Sequence, residues 1–195
     1  CLNVRFDEIR ERQDLADYPA SMKALRAALA LHPRALEGVR LFVIHHATAE
    51  ALGLLKAFAD AQCDSLTAFF VQYAGIVPND YLETLMSLPP QTFRFYGLQK
   101  MESRLRLAGS YMLSRQFTPF SGLETMEQAL IDEQPDFLDA MRMAAGHLFF
   151  KEADAARRAN RLLLLVEDGG YLAPIINRFC LEGKTLGEVF EHFHL

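Results

Sequence analysis

Leu162-Leu163-Leu164-Leu165-Val166-Glu167-Asp168-Gly169-Gly170 is the stretch on which the fold turns. Five consecutive apolar residues predict a strand buried on both faces, as in a parallel sheet covered by helices. An acidic pair and two glycines follow at once. In open parallel sheets, ligand sites form just beyond the carboxyl ends of the strands. The plainer reading is a strand-to-helix turn, with Asp168 capping and the glycines supplying positive φ.

Working outward, a second stretch has the same form. Arg40-Leu41-Phe42-Val43-Ile44-His45-His46 reads as a strand, and Thr48 is a good N-cap for a helix over roughly 49–61. Thr67–Gln72 is a further near-continuous apolar strand, and Thr92–Tyr96 a third in chain order. Helices are expected over residues 20–31, from Pro78-Asn79-Asp80 to about Leu88, and over Lys184–Phe193. Alternating strands and helices with short connections predict an α/β fold. The expected form is a doubly wound, mainly parallel sheet of four or five strands, of Rossmann or flavodoxin type.

Residues 104–158 read as a helical excursion without a clear strand. Its apolar face, with Phe137, Leu138, Met141, Leu148 and Phe149, is expected to cover the sheet or cap the crevice; a dimer seam is the alternative. Residues 1–17 read as a charged surface arm on a single domain spanning 1–195.

Composition narrows the function. With 51% hydrophobic and 23% charged residues and a net charge of −5, the chain is an ordinary globular one. It offers no basic block for nucleic acid; Arg157-Arg158 is flanked by Glu152 and Asp154. No apolar run approaches the roughly 18 residues that span a bilayer, and no signal peptide is visible. Three cysteines, Cys1, Cys63 and Cys180, form no metal spacing. Such a sparse, odd set suggests a reducing, cytoplasmic setting. The start at Cys1 suggests a processed or trimmed product.

Walker-A, GxGxxG, HExxH, CxxC and GxSxG patterns are absent. His45 and His46 cannot share one metal, because adjacent strand residues point to opposite sides. If the two strands lie close, His46, Thr48 and Asp168 converge on one crevice. A histidine, a hydroxyl and a carboxylate suit a polyhydroxylated ligand such as a ribose. Taken singly, His46 reads equally as a hydrogen-bonded histidine at a strand end.

The residues Gly38-Val39-Arg40-Leu41, His46-Ala47-Thr48-Ala49-Glu50-Ala51 and Leu54-Leu55-Lys56-Ala57-Phe58 resemble the substrate-domain opening of S-adenosylhomocysteine hydrolases. In that family a GxRI strand leads to an H-x-T turn and a leucine-bearing helix. Met22-Lys23-Ala24-Leu25-Arg26 is similar to the family's entry motif, without its Pro-Gly. Glu167-Asp168-Gly169-Gly170-Tyr171 is similar to its D-D-G-G-D turn. The match covers roughly residues 20–88 and 160–176.

The resemblance implies that His46, Thr48 and Asp168, with Glu167 beside them, line a pocket for adenosine or an S-adenosylhomocysteine-like ligand. Glu50 falls where the family has Gln or Glu. The family's S-T-Q-D motif is reduced here to Asp80, and its W-x-G-E-T motif to Glu102. The E-T-T-T-G segment, the catalytic Lys/Asp pair and the NAD-binding domain have no counterpart in these 195 residues. Hydride transfer to NAD opens that family's chemistry, so the resemblance implies NAD only with a downstream domain. The expectation is a nucleoside-like binding domain, catalytically incomplete, with no cofactor in this chain. The alternatives are an interaction module that has kept the fold and lost the pocket, and a fragment of a longer NAD-dependent hydrolase.

Overall fold

A computed structural model describes residues 18–20, 22–72, 81, 84–85, 87–101, 110–113 and 123–195. Its elements, in chain order, are helix α1 (Lys23–Leu31), strand β1 (Val39–His46), helix α2 (Ala49–Asp60), strands β2 (Ser65–Gln72), β3 (Phe93–Met101) and β4 (Ser110–Leu113), helices α3 (Glu124–Glu133) and α4 (Phe137–Arg158), strand β5 (Leu162–Glu167), and helices α5 (Ala173–Leu181) and α6 (Leu186–His192). Tyr81 and Thr84-Leu85 are helical too. The expected arm at 1–17, Asp80 and Glu102 lie outside the described residues.

The sheet has five strands in the order β4-β3-β2-β1-β5. Four are mutually parallel, and β4 runs antiparallel to β3. The expected doubly wound α/β fold is therefore present. The excursion at 104–158 is helical as expected over α3 and α4, but it also contains β4. Ser110-Tyr111-Met112-Leu113 does not alternate polar with apolar residues, so it carries no period-2 signal in the sequence.

Alternation along β1 explains how one strand serves two cores. Phe42 and Ile44 face a layer that includes Met126, Leu130, Met141, Ala144, Leu148, Phe179 and Phe193. Leu41 and Val43 face Leu52, Leu55, Leu85 and Tyr18 on the other side. The first core thus lies beneath α3 to α6, and the second beneath α2.

Helix α4 runs antiparallel to the strands, as its contacts show. Glu152 accepts from Arg40, near the start of β1, at 2.8 Å, and from Arg94, near the start of β3, at 2.8 Å. Arg94 Nε also donates to Thr67 Oγ1 at 3.3 Å. One helical layer further, Phe149 meets Phe42 edge-on at 5.5 Å. Counting back from that contact, Phe137 is about 18 Å along the helix, whereas His46 is about 13 Å along the strand. The start of α4 therefore overhangs the carboxyl end of the sheet.

The C-terminal helix is locked to α4. Phe193 is fully buried, and a Cβ at Gly146 would sit 1.9 Å from its ring. His147 Nδ1 lies 2.8 Å from the Phe193 carbonyl oxygen, to which it donates. Only a glycine allows α4 to approach this closely.

One expectation is overturned. Leu162–Val166 is not buried on both faces, because β5 is an edge strand. Leu163 and Leu165 pack into the first core, but Leu162 and Leu164 are 72% and 45% exposed. Helix α2 covers β1 and β2 and leaves the same face of β5 open.

Candidate functional site

The strand order creates one topological switch point. From β1 the chain passes through α2 on one face to β2; from β5 it passes to α5 on the other. Because β1 and β5 are neighbours, their carboxyl ends form the position at which open α/β sheets place a ligand crevice. The ladder pairs Ile44 with Glu167, and the Asp168 amide donates to the Ile44 carbonyl at 2.9 Å. His45 and Asp168 therefore stand side by side at the rim.

Each residue expected at the site has a definite place. Asp168 is half exposed, and its Oδ2 lies 3.9 Å from His45 Nε2. Thr48 caps α2 and accepts from the Ala51 amide at 3.3 Å. The Glu50 carboxyl is held below its ordinary range by its own backbone amide, then by Thr48, with a contribution from the neighbouring His45. Glu50, Thr48, His45 and Asp168 are thus one linked set.

His46 and Glu167 are used differently. His46 Nδ1 lies 3.3 Å from the Val71 carbonyl, so this ring leans toward β2 rather than β5. The Glu167 carboxylate accepts from the Leu172 amide at 2.6 Å and the Ala173 amide at 2.9 Å. It caps the N-terminus of α5 from the end of β5. Gly169 and Gly170 make the turn with φ of 104° and 67°, and a Cβ on Gly169 would meet the buried Tyr171 ring at 2.6 Å. Sequence reasoning chose His46 and passed over His45. The signal that favours His45 is register, which no single strand carries.

The tautomer of His45 follows from its partners. Nδ1 lies 3.0 Å from the His46 carbonyl oxygen, which only accepts. Nδ1 therefore carries the proton, and in the neutral ring Nε2 presents a lone pair toward Asp168. Two acceptors then face each other 3.9 Å apart. A group with two hydrogen-bond donors fits between them.

The electrostatics of the rim exclude a phosphate cradle. Helix N-termini attract anions through free amides and the dipole. Here Glu167 already occupies that of α5, and Thr48 with Glu50 that of α2. The crevice is lined by the chain's own carboxylates. Among the described residues, no group of three or more His, Cys, Asp or Glu could hold a metal ion.

A separate cleft of about 640 Å³ lies at the same end of the molecule, under the overhang of α4. Arg142, Arg178, His192 and Pro174 are among its walls. It does not include His45 or Asp168.

No family model, no curated protein and no solved structure matches the chain.

Proposed function

We infer that this chain binds a nucleoside-like small molecule in the β1–β5 crevice, through its ribose. The observation that carries the reading is the approach of His45 Nε2 and Asp168 Oδ2, 3.9 Å apart at a topological switch point. A vicinal diol brings two donors to that spot. The capped helix ends favour a ligand without phosphate, so adenosine or an S-adenosylhomocysteine-like thioether fits better than a nucleotide. The resemblance to S-adenosylhomocysteine hydrolases agrees in ligand class and moves the histidine contact from His46 to His45. Thr48 and Glu167 then shape the site by capping, rather than by touching the sugar.

Binding without catalysis is the extent of the proposal. The family's chemistry needs NAD, and nothing in the crevice suits a pyrophosphate. The sparse cysteines, buried Cys63 and exposed Cys180, both unpaired, suit a reducing compartment such as the cytoplasm. Among the described residues, no helix is long and apolar enough to cross a membrane.

The second reading is an interaction module that has lost the pocket. It is favoured by the fact that Thr48 and Glu167 are committed to backbone amides. Calorimetry separates the two. Adenosine should bind, and Asp168→Ala should weaken it by roughly one to two powers of ten. The 2′,3′-dideoxy analogue should lose about as much on the parent chain. Equal binding of adenosine and its dideoxy analogue, or no heat from adenosine or S-adenosylhomocysteine at millimolar concentration, would defeat the ribose reading.

A further inference from the structure

We propose that the outer edge of β5 is a self-pairing interface, at which two copies of the chain join antiparallel about a two-fold axis through Leu164. Among the described residues β5 pairs with β1 alone, so its outer edge offers free backbone groups. Its sequence, Leu-Leu-Leu-Leu-Val-Glu, carries none of the lysines, prolines or bulges that keep an edge from pairing. It also leaves Leu162 at 72% and Leu164 at 45% exposed. A strand apolar on both faces belongs inside a sheet rather than at its rim.

The polarity of the backbone selects the register. The Asp168 amide donates inward to Ile44, so by alternation Val166, Leu164 and Leu162 also point their amides toward β1. Arg161, Leu163, Leu165 and Glu167 then point theirs outward. A two-fold axis normal to the sheet keeps each face on its own side. Residues that oppose each other must therefore differ by an even number along the chain.

Centring the axis on Leu164 makes Leu163 and Leu165 of opposite copies a hydrogen-bonded pair, and Arg161 and Glu167 another. Leu164 faces its own copy in a non-hydrogen-bonded pair, and Leu162 faces Val166. The exposed leucines thus merge into one apolar stripe across the seam.

Charge decides between this and the neighbouring registers. The amino end of β5 carries three arginines against two carboxylates: Arg161, half exposed, is ion-paired with Asp64, and Arg157 and Arg158, 74% exposed, share Asp154. The carboxyl end is acidic, with Glu167, whose carboxylate also caps α5, and the half-exposed Asp168. Antiparallel pairing centred on Leu164 sets each copy's basic end against the other's acidic end, twice by symmetry. A parallel pairing would set like against like. Sliding the axis to Leu165 or to Leu163 takes Arg161 away from Glu167. The seam is isologous and closed, so it gives a dimer and no fibre.

Light scattering on the full chain tests the proposal, with a mass of twice 22.1 kDa expected. Leu164→Lys should weaken the dimer at least about a hundredfold, because it sets two like charges face to face on the axis. Leu164 is a surface side chain, so the variant should fold; circular dichroism checks this.

The register is read by cysteine cross-linking after Cys1→Ser and Cys180→Ser. Buried Cys63, its thiol pushed up to about 11 by burial, stays unreactive. Leu164→Cys should form a disulfide across the axis, since Cα atoms in a non-hydrogen-bonded pair are about 4.5 Å apart. Leu162→Cys, opposite Val166, should not. A monomer across the micromolar range, a dimer that survives Leu164→Lys, or cross-linking at residue 162 as fast as at residue 164 would each overturn the proposal.

Discussion

β1 and β5 lie side by side, run parallel and are built from the same kind of residue, yet they stand in different environments. Leu41-Phe42-Val43-Ile44 is at most 1% exposed, whereas Leu162 and Leu164 are largely open. The contrast shows what an apolar run encodes. It specifies the strand and the faces that seek cover, but a strand's place in the sheet depends on which other segments pair beside it. β1 has β2 and β5 as neighbours and helices on both faces. β5 has β1 alone among the described residues, and helices on one face.

Removing a side chain from each strand should expose the contrast most directly. Phe42→Ala deletes a fully buried ring that touches Phe149, and should cost about 3–5 kcal/mol in urea unfolding. A loss below about 1 kcal/mol would show that the centre of the sheet is far looser than its burial implies.

Next in size is the ion cluster that pins α4 to the amino ends of the strands. Glu152→Ala leaves Arg40 and Arg94 facing each other without their carboxylate. The expected cost is about 2–3 kcal/mol, at or below the low end for a buried pair because Arg94 is 30% exposed. Glu152→Gln should recover part of it by keeping a hydrogen-bond acceptor. Equal losses in both variants would mean that a neutral acceptor recovers nothing and that the carboxylate charge carries the whole effect.

At the carboxyl end of β5, Glu167→Ala should cost about 1–2 kcal/mol through the uncapped α5. Hydrogen exchange at the Leu172 and Ala173 amides should rise with it. Smallest of the four is Leu164→Ala, expected below about 1 kcal/mol when the chain is dilute enough to be monomeric. A loss comparable to that of Phe42→Ala would mean that Leu164 is covered within the monomer, and would dissolve the contrast between the strands.

A pH experiment probes the face that β5 shares with α5 and α6. Burial first, then the positive charges of Arg178 and His194, hold the His192 imidazole below its ordinary 6.5. The unfolded chain therefore takes up this proton first as pH falls. The contribution is complete above about 6.5 and is lost progressively below it. His192→Gln should flatten the fall in stability between pH 6.5 and 5. An unchanged slope would assign the fall to other groups.

Much of this fold was legible because local signals agreed. Thr48 after a buried strand marks the start of α2 in sequence, and the structure adds the Thr185–Glu188 capping box and the Asp136 cap of α4. What stayed hidden depends on pairing across the chain. Strand order made β5 an edge, and no property of Leu162–Val166 alone distinguishes edge from centre. Register set His45 beside Asp168 and turned His46 toward Val71. The Glu167 cap was also hidden. Its acceptors are spent on amides five and six residues ahead, whereas the residue type suggested a ligand contact.

That cap has a kinetic consequence. Glu167 ties the last residue of β5 to the first turn of α5, so the two-glycine turn between them is closed at its base. Asp168 sits on that closed turn and does not have to be gathered from a flexible loop when a ligand arrives. For the nucleoside binding proposed above, little ordering would remain to be done on encounter, so association should run near the rate set by diffusion and orientation, and affinity should be tuned through the lifetime of the complex. On that proposal, breaking the clamp at Glu167 with Asp168 untouched would make the site order itself around the nucleoside, and stopped-flow mixing would register the change as a slower on-rate.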